Sequence, residues 1–422
     1  MRHPRQGAGR ADPDDGLGRC RPVAPGDGLH ASTLDAQLNR GSMSTWAKRS
    51  WWNVLQIETA ELTGDSAGTR RSIAAFRYGQ AGVSPKVYIQ AALHADEVPG
   101  VLVIQHLLAL LDRTEIKGEI IVVPIANPIG LAQWAFQRPI GRFEAESMAN
   151  FNRHYPDLAA MAGDKVKAKL TSVLSDNLAI IRAGFRKALA KAEARSDLEQ
   201  QRLTLLKWSC DADYVLDLHC DHEAVLHLYA APARPKDTSL LARCIGAELA
   251  LTSEVSGGHA FDEAHTAPWA KLKRRFGAKF PIPDVCFSTT IEYRGQLDAD
   301  DNTAASDARN LLTFLAQIGA VAGVKAKPAF AEPPNFPLAG YVQGHAPVGG
   351  VIAWVARPGD WVKAGDVVCY VTEAMTRQRV AVAAPIDGMM FRRELWRACL
   401  RGQGLFHIAG SKPLRRGHLL SD

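Results

Sequence analysis

The chain has 422 residues, 47% of them hydrophobic, and a formal charge of +6 from 50 basic and 44 acidic residues. This length exceeds the size at which a single hydrophobic core stops growing, so we expect two domains, and the apolar content excludes a wholly disordered chain. Basic residues are spread along the sequence without a dense Lys/Arg block, which argues against nucleic acid as a partner.

The first 42 residues are rich in Gly, Pro, Arg and Asp without a hydrophobic period, which predicts a disordered tail over 1–42, with Met43 as an alternative start. No apolar run approaches the roughly 18 residues that span a bilayer, and the N-terminus lacks an apolar signal segment. We therefore expect no membrane partner. The seven cysteines are scattered and contain no Cys-x-x-Cys pair, which indicates a reducing, cytoplasmic compartment.

Residues 43–328 alternate short β-rich runs with helical stretches, the pattern of an α/β domain. The predicted strands are 86–93, 118–127, 212–219, 223–231 and 287–295, and the first is followed by a predicted helix over 98–112. Charged and apolar residues are interleaved at helical spacing over 160–208, which favours a helical hairpin packed on the domain over a partner-binding helix.

A proline-rich linker, 329–337, leads to a second domain, 338–412, in which short strands and turns follow one another, and 413–422 form a tail. This domain resembles the barrel-sandwich hybrid of biotinyl and lipoyl carriers. Those carriers hold their cofactor on a lysine after Ala-Met, where this chain has Thr376. Because threonine has no amine to acylate, we expect an all-β module without a covalent cofactor.

Polar residues follow the first predicted strand, in "AALHADEVPG" (91–100). The carboxyl edge of a sheet is where open α/β folds keep their active sites. His94 and Glu97 lie on one short loop that can wrap an ion, and a catalytic zinc takes three protein ligands, with imidazole and carboxylate as typical donors. His219, at the end of "DYVLDLH", is the preferred third ligand. The alternatives are His222, which no strand precedes, and His227, which lies in an apolar strand where a core histidine is the better interpretation.

A water activated by a metal also needs a general base. Glu292, in "TTIEYRG", is a carboxylate within an otherwise apolar strand, a costly place for a charge unless it is paired or faces a polar site. We therefore prefer Glu292 as the base. The alternative is a structural ion pair with Arg294.

Arginine binds a carboxylate through two parallel hydrogen bonds, so an anionic substrate group favours a guanidinium in the site. "NFNRHYPD" offers Asn152 and Arg153 together, although Asn-Arg alone is a weak motif. Arg142, in "IGRFEAES", is a candidate for stabilising the oxyanion, and Arg138 is a poorer one.

These residues carry a resemblance to known enzymes. His94-x-x-Glu97, Asn152-Arg153, His219 and Glu292 follow the order and approximate spacing of zinc carboxypeptidase-like enzymes. With "AALHADEVPG" and "DLHCD", the sequence resembles the succinylglutamate desuccinylase/aspartoacylase family over roughly residues 85–410. The resemblance implies an α/β fold, in which a mixed-sheet zinc carboxypeptidase-like domain precedes a small C-terminal all-β barrel-sandwich-hybrid-like domain.

The family implies hydrolysis of the amide bond of an N-acyl amino acid or a similar small amine, with one Zn²⁺ per chain. By this resemblance His94, Glu97 and His219 would be the zinc ligands, Asn152 and Arg153 would hold a substrate carboxylate, and Glu292 and Arg142 would be catalytic. The acyl group, the amine and any homo-oligomer stay open. Two rival functions are a metallocarboxypeptidase acting on peptides and a non-catalytic binding protein.

Overall fold

The computed structural model describes residues 55–420, so the predicted tail 1–42 and Met43 lie outside the described part of the chain. Nine strands form one sheet: β1 Gln56–Glu61, β2 Ser72–Tyr78, β3 Lys86–Ala91, β5 Glu119–Val123, β8 Tyr214–Asp221, β10 His227–Ala230, β11 Leu249–Thr252, β12 Phe287–Gly295 and β14 Asn335–Pro337. Their order is β1-β2-β5-β3-β8-β12-β10-β11-β14. The sheet is mixed, because β5, β3, β8 and β12 run parallel while β1-β2, β2-β5 and β12-β10 are antiparallel pairs.

The register of the central strands brings distant residues to one edge. Leu218 of β8 pairs with Ala91 of β3, and His219 pairs with Glu292 of β12. Since β3, β8 and β12 are parallel, their carboxyl ends meet there. The loop after β3 carries His94, so the sheet itself gathers the predicted site.

Helices cover both faces of the sheet. Their bounds are α1 Pro99–Leu111, α2 Pro128–Leu131, α3 Leu158–Lys167, α4 Leu174–Ala190, α5 Asp197–Ser209, α6 Pro235–Ile245, α7 Glu263–Phe276 and α8 Asp301–Gln317. The side chains of β3 alternate between two cores: Val87 and Ile89 pack with α1, α6 and α8, and Tyr88 packs with α3, α4, α5 and α7. A strand buried on both faces explains the continuous apolar run in its sequence.

The segment predicted as a helical hairpin, 160–208, contains three helices, α3 to α5. Asn177 stabilises the turn between α3 and α4: its side chain accepts a hydrogen bond from the backbone N–H of Thr171 and donates one to the carbonyl of the same residue. Ser196 caps the second, where its side chain accepts a hydrogen bond from the backbone N–H of Glu199. Capping by single polar side chains gives a weaker signal in the sequence than helical spacing of apolar residues does. The apolar spacing therefore predicts two helices here, and the structure has three.

Short strands complete the α/β part: β4 Glu115–Ile116 pairs with β13 Val321–Ala322, and β6 Trp134–Ala135 pairs with β7 Arg138–Pro139. The segment 223–231, predicted as one strand, is divided between β10 and β9 Glu223–Ala224. The strand β9 leaves the large sheet and pairs with a strand of the C-terminal region.

The C-terminal region consists of antiparallel strands: β15 Tyr341–His345, β16 Gly350–Trp354, β17 Trp361–Val362, β18 Val367–Glu373, β19 Gln378–Ala383, β20 Gly388–Arg393, β21 Ala398–Cys399 and β22 Gly404–Ala409. One sheet has the order β15-β22-β20-β17 with β9 added on β20, and the other has the order β19-β18-β16-β21. Both line a shared apolar core that includes Val371, Met390 and Phe406. Thr376 lies in the turn between β18 and β19.

Two predicted connecting segments have further contacts. β14, within the predicted linker, adds a parallel edge strand to β11. Leu419, in the predicted tail, is buried, and its carbonyl accepts a hydrogen bond of 2.7 Å from the Tyr341 hydroxyl. None of the helices between residues 55 and 420 combines the length and apolar character that crossing a bilayer requires.

Candidate metal centre and its pocket

Three buried side chains converge at the carboxyl edge of the sheet. Glu97 Oε1 lies 3.0 Å from Nδ1 of His94, and Glu97 Oε2 lies 2.7 Å from Nδ1 of His219. One ligand atom from each residue lies within 4.8 Å of the others, and the three residues could hold a metal ion. Ala92 has a positive φ of 55°, and this sparsely populated conformation lies in the sharp turn between β3 and His94.

The outer nitrogen of each histidine ring faces an oxygen. His94 Nε2 is hydrogen-bonded to Asn150 Oδ1 at 2.9 Å, and His219 Nε2 lies 3.0 Å from Asp217 Oδ2 in an ion-pair contact. Gln90 in turn donates to the other oxygen of Asp217 at 2.9 Å. Histidines that bind metals are oriented by such partners on the second nitrogen. The arrangement therefore leaves Nδ1 of both rings facing the centre, and the donor set fits a divalent ion.

Charge at the centre is balanced between these groups. Burial and the nearby Arg142 guanidinium lower the pKa of His94 to about 4. Burial opposes ionisation of Glu97, but His94 and His219 outweigh it and hold the pKa of this carboxyl well below its usual range. Burial also opposes the charged form of His219, yet Asp217 and Glu97 raise its pKa well above 6.5. A bound cation would replace the proton on this ring, since metal binding releases protons from its ligands.

Glu292 lines the same cavity, at the end of β12. Burial, followed by the negative charge of Glu97, raises the pKa of this carboxyl well above 4.5. Its Oε2 atom is buried and has no hydrogen-bond partner among the described residues. The alternative ion pair with Arg294 is absent from this part of the chain, because Arg294 pairs with Asp307 on α8.

Arg142 reaches into the centre from a loop. Its Nη1 donates to Glu97 Oε1 at 3.2 Å and lies 3.3 Å from His94 Nδ1. The loop approaches closely because Gly141 has no side chain: a Cβ there would lie 2.5 Å from the backbone nitrogen of Asp96. Arg138, the poorer candidate, is exposed and stacks on Trp396, with its guanidinium carbon 3.9 Å from the ring centroid.

Asn152 and Arg153 are buried and line the cavity. Asn152 Oδ1 accepts a hydrogen bond of 2.8 Å from the backbone N–H of Phe261, and Arg153 Nη1 donates 2.8 Å to the carbonyl of Asn152. The first bond fixes Asn152 to the segment that leads into α7, and the second holds the Arg153 guanidinium against the backbone of Asn152. Asp262, at the start of that helix, also lines the cavity, and burial together with Glu263 raises its pKa to about 7.

The structure separates the alternative third ligands from the centre. His222 contacts Glu394 at 2.9 Å, in the C-terminal region. His227 is buried in β10, where Nδ1 lies 2.8 Å from the carbonyl of Val225 and Nε2 lies 3.3 Å from the Tyr229 hydroxyl. It is a satisfied core histidine.

The C-terminal region contributes a wall of the cavity, which has a volume of about 350 Å³. Arg392 of β20 pairs with Asp221 and donates hydrogen bonds to His407 at 3.1 Å and to His222 at 3.2 Å. Sequence reasoning missed these residues, because no local pattern connects β20 to β8. It also missed Asp217 and Asn150, although Asp217 lies two positions before His219, a spacing that places both on one face of a strand.

The fold and the site define an α/β protein with a buried centre of two histidines and one carboxylate at the edge of a mixed sheet. Residues 83–318, more than half of the chain, match the model of the succinylglutamate desuccinylase/aspartoacylase catalytic domain. The chain belongs to this family, as the sequence motifs predicted.

Solved structures support the same relationship. Family proteins from Shewanella frigidimarina NCIMB 400 and Shewanella amazonensis SB2B are each 25% identical to this chain. The first has a TM-score of 0.77 and the match covers 86% of this chain and 100% of that one; the second has a TM-score of 0.75, with 84% and 98% covered. The product-bound ectoine utilization protein of Ruegeria pomeroyi is 17% identical, with a TM-score of 0.57 over 86% of this chain and 96% of that one, which shows the fold alone. A comparison with curated proteins finds no match.

Proposed function

We propose that this protein is a zinc-dependent deacylase that hydrolyses the amide bond of an N-acylated amino acid or a similar amine. The observation that carries the proposal is the convergence of His94, Glu97 and His219 beside Glu292, a half-buried carboxylate whose Oε2 atom is buried without a hydrogen-bond partner among the described residues. Two imidazoles and one carboxylate are a donor set of catalytic zinc in hydrolases. A family of deacylases supplies the reaction class.

The metal would be held by His94, Glu97 and His219, whose outer contacts to Asn150 and Asp217 keep the rings oriented. When bound, zinc supplies a Lewis acid that makes water nucleophilic near neutral pH and polarises a carbonyl. Arg142 donates a hydrogen bond to Glu97, the proposed carboxylate ligand of the metal. A cation bound to Glu97 would free that guanidinium to face the substrate.

Glu292 is the general base of this proposal. Burial raises the pKa of this carboxyl above its ordinary value, the direction in which enzymes tune a carboxylate that exchanges protons. It takes a proton from the attacking water and delivers it to the nitrogen of the departing amine. Its place in the cavity, at the end of β12 and in register with His219, puts the carboxylate next to the metal ligands.

Two arginines act on the substrate. Arg142 stabilises the negative charge that develops on the carbonyl oxygen, since a preformed donor in a buried site requires little reorganisation. Arg153, fixed by its bond to the Asn152 carbonyl, anchors a carboxylate of the amino acid. Together they orient the amide between the metal ligands and Glu292.

The C-terminal strands are proposed as a barrel-sandwich-hybrid-like module, 338–412, that carries no covalent cofactor. Thr376 occupies the turn where a carrier would need lysine. The module instead supplies Arg392, Glu394 and His407 to the cavity wall. Its role is to enclose part of the site, and residues 43–328 form the deacylase domain.

The test is amine release by zinc-loaded protein from a panel of N-acetyl, N-formyl and N-succinyl amino acids and short peptides. The proposal predicts turnover of an acylated amino acid that a chelator abolishes and zinc restores. Release from peptides alone would assign a carboxypeptidase instead. Bound zinc without release from any member of the panel would reject this substrate class and favour a binding role.

A further inference from the structure

A second cavity adjoins the metal site. It has a volume of about 440 Å³ and lies between α7 and the loops that follow β10 and precede β12. Trp269 and Cys286 are its most buried lining residues, at 4% and 8% exposure. Ala231 and Thr266 line both this cavity and the one at the metal centre, so the two share a wall. The second cavity is therefore a direct neighbour of the site.

Residues on one face of β12 and in the loop before it line both cavities in turn. Glu292, Thr290 and Ser288 line the first cavity, and Cys286 lines the second. Residues two apart point to the same side of a strand and rise about 3.3 Å each, so Ser288 lies about 13 Å along the strand from the proposed base. The intervening side chains, including Ile291, face the opposite core.

The helix α7 lines the other side at helical spacing. Thr266 contributes to both cavities, and Ala270 and Arg274 follow it at successive four-residue steps along the second. Two ion pairs border the mouth: Arg274 with Glu254, and Lys273 with Asp284 at 2.6 Å. The depression is apolar at its base and charged at its rim, the pattern of a pocket for an apolar group.

Ser288 provides a second, independent indication of a ligand. The residue is 2% exposed, and its hydroxyl has no hydrogen-bond partner within residues 55–420. Leaving a buried hydroxyl unpaired is costly, whereas an amide group of a bound molecule passing over β12 would satisfy it.

We infer that the second cavity is a subsite for an unbranched apolar chain of the substrate. The inference rests on the proposed deacylase function and narrows its substrate class to N-acylated amines with an extended aliphatic substituent. This aliphatic group of the substrate belongs either to the acyl group or to the amino-acid side chain. Both present the same methylenes to Trp269 and Cys286.

The experiment compares two substrate series with zinc-loaded, full-length protein. One series lengthens the acyl group of N-acylglycines from acetyl to octanoyl, and the other lengthens the aliphatic side chain of N-acetyl amino acids from alanine to 2-aminooctanoate. Because each buried methylene contributes about fourfold, kcat/KM should rise by about this factor per carbon in one series until the cavity is filled. The series that rises identifies which end of the substrate enters the subsite.

Variants test the location. Ala270→Phe fills the second cavity, so the ratio of kcat/KM between the longest and shortest substrates should fall at least tenfold. Ala270→Leu makes a smaller change in the same direction and serves if the larger one misfolds. The matched control is Ala74→Phe, in β2, which lines a separate cavity and should keep the wild-type ratio.

The outcomes separate this inference from the proposed function. The subsite is overturned, and the deacylase retained, if the shortest substrates of both series turn over fastest. The same holds if the ratio of kcat/KM between the longest and shortest substrates is equal in Ala270→Phe and Ala74→Phe. If wild-type protein hydrolyses no substrate, calorimetric binding of the longest and shortest members of both series decides the subsite on its own. Tighter binding of the longest member in either series, lost in Ala270→Phe, would retain the subsite without the reaction, and equal affinities within both series would overturn the subsite as well.

Discussion

Two polar clusters meet β8 two residues apart, at His219 and at Asp221, and they are partnered differently. At the contact with the C-terminal region, Asp221 pairs with Arg392, which also bonds His407 and His222. At the metal centre, one oxygen of Glu292 has no protein partner in the described part of the chain. The first cluster is complete, whereas the second has capacity left for a ligand.

This contrast distinguishes a polar cluster that stabilises the fold from one that can bind a ligand. A buried polar atom without a partner destabilises the fold by about 1–3 kcal/mol, so it persists where a ligand or a reaction uses it. Asp96 is a further case, because its Oδ1 is also buried without a partner while its Oδ2 accepts from Gln296 at 3.1 Å. Asp96 and Glu292 both line the cavity that contains His94, Glu97 and His219, where the proposed substrate would bind.

The largest effect is expected at the base. Glu292→Gln should lower kcat by about 10²- to 10⁴-fold, because the amide cannot accept the proton from water, while zinc content stays at the wild-type level. Steady-state kinetics and metal analysis on one preparation check this. Glu223→Gln, at a carboxylate outside both clusters that accepts from Arg393, is the matched control and should retain turnover. Wild-type turnover in Glu292→Gln would remove this residue from the mechanism.

Breaking the complete cluster should act on stability. Arg392→Leu leaves the half-buried Asp221 without its cation, and we expect the free energy of unfolding to fall by up to about 3 kcal/mol, the lower end of the range for fully buried pairs. Denaturant unfolding of zinc-loaded protein measures the change. The double variant Asp221→Asn/Arg392→Leu should recover part of the loss. A loss in Arg392→Leu below about 0.5 kcal/mol would mean that this contact does not hold the two regions together.

A buried histidine outside the centre gives a pH dependence. His265 bonds the carbonyl of Phe261 and the Ser209 hydroxyl, and burial lowers its pKa to about 4. Above pH 6.5 both folded and unfolded forms are neutral. Between pH 6.5 and 4 the unfolded chain binds the proton first, so this residue should destabilise the protein progressively, by about 3 kcal/mol at pH 4.

His265→Gln isolates this contribution, because the other titrating groups stay in place. Chemical unfolding between pH 7 and 4 should show a smaller loss of stability in the variant than in wild type. Identical pH profiles would mean that His265 has a similar pKa in the folded and unfolded states.

The smallest effect is expected at the substrate carboxylate. Arg153→Lys keeps the charge but loses the two-pronged geometry, so KM should rise about ten- to hundredfold with little change in kcat. The measurement compares KM and kcat for an N-acylated amino acid with those for the analogue whose carboxylate is converted to an amide. The substitution should raise KM less for the analogue, because it has no carboxylate for Arg153 to bind. An equal rise in KM for both substrates would show that Arg153 binds something other than the carboxylate.

The elements of the centre were predictable because the chemistry lies at strand ends. The apolar run 86–93 predicts β3, and the polar residues directly after it predict the place of His94 and Glu97. His219 follows from a similar pattern at the end of β8, and Glu292 follows from a carboxylate within the otherwise apolar run of β12. The family match confirms the resemblance that these motifs carry.

The surroundings of the centre depend on pairing between distant segments. Arg392 lies 171 residues from Asp221, and it reaches β8 because β9 leaves the large sheet to pair with β20. Strand register across such separations leaves no local signal in one sequence. The second cavity has the same origin, since Cys286 and Thr266 are brought together by the packing of α7 near β12.

Metal content measured beside activity tests the central claim most directly. Purified, dialysed full-length protein should retain one zinc per chain and release amine from an acylated amino acid, and His219→Ala should lose both together. Substoichiometric zinc in wild type, or undiminished amine release by His219→Ala after chelation, would contradict a metal-dependent deacylase at this site.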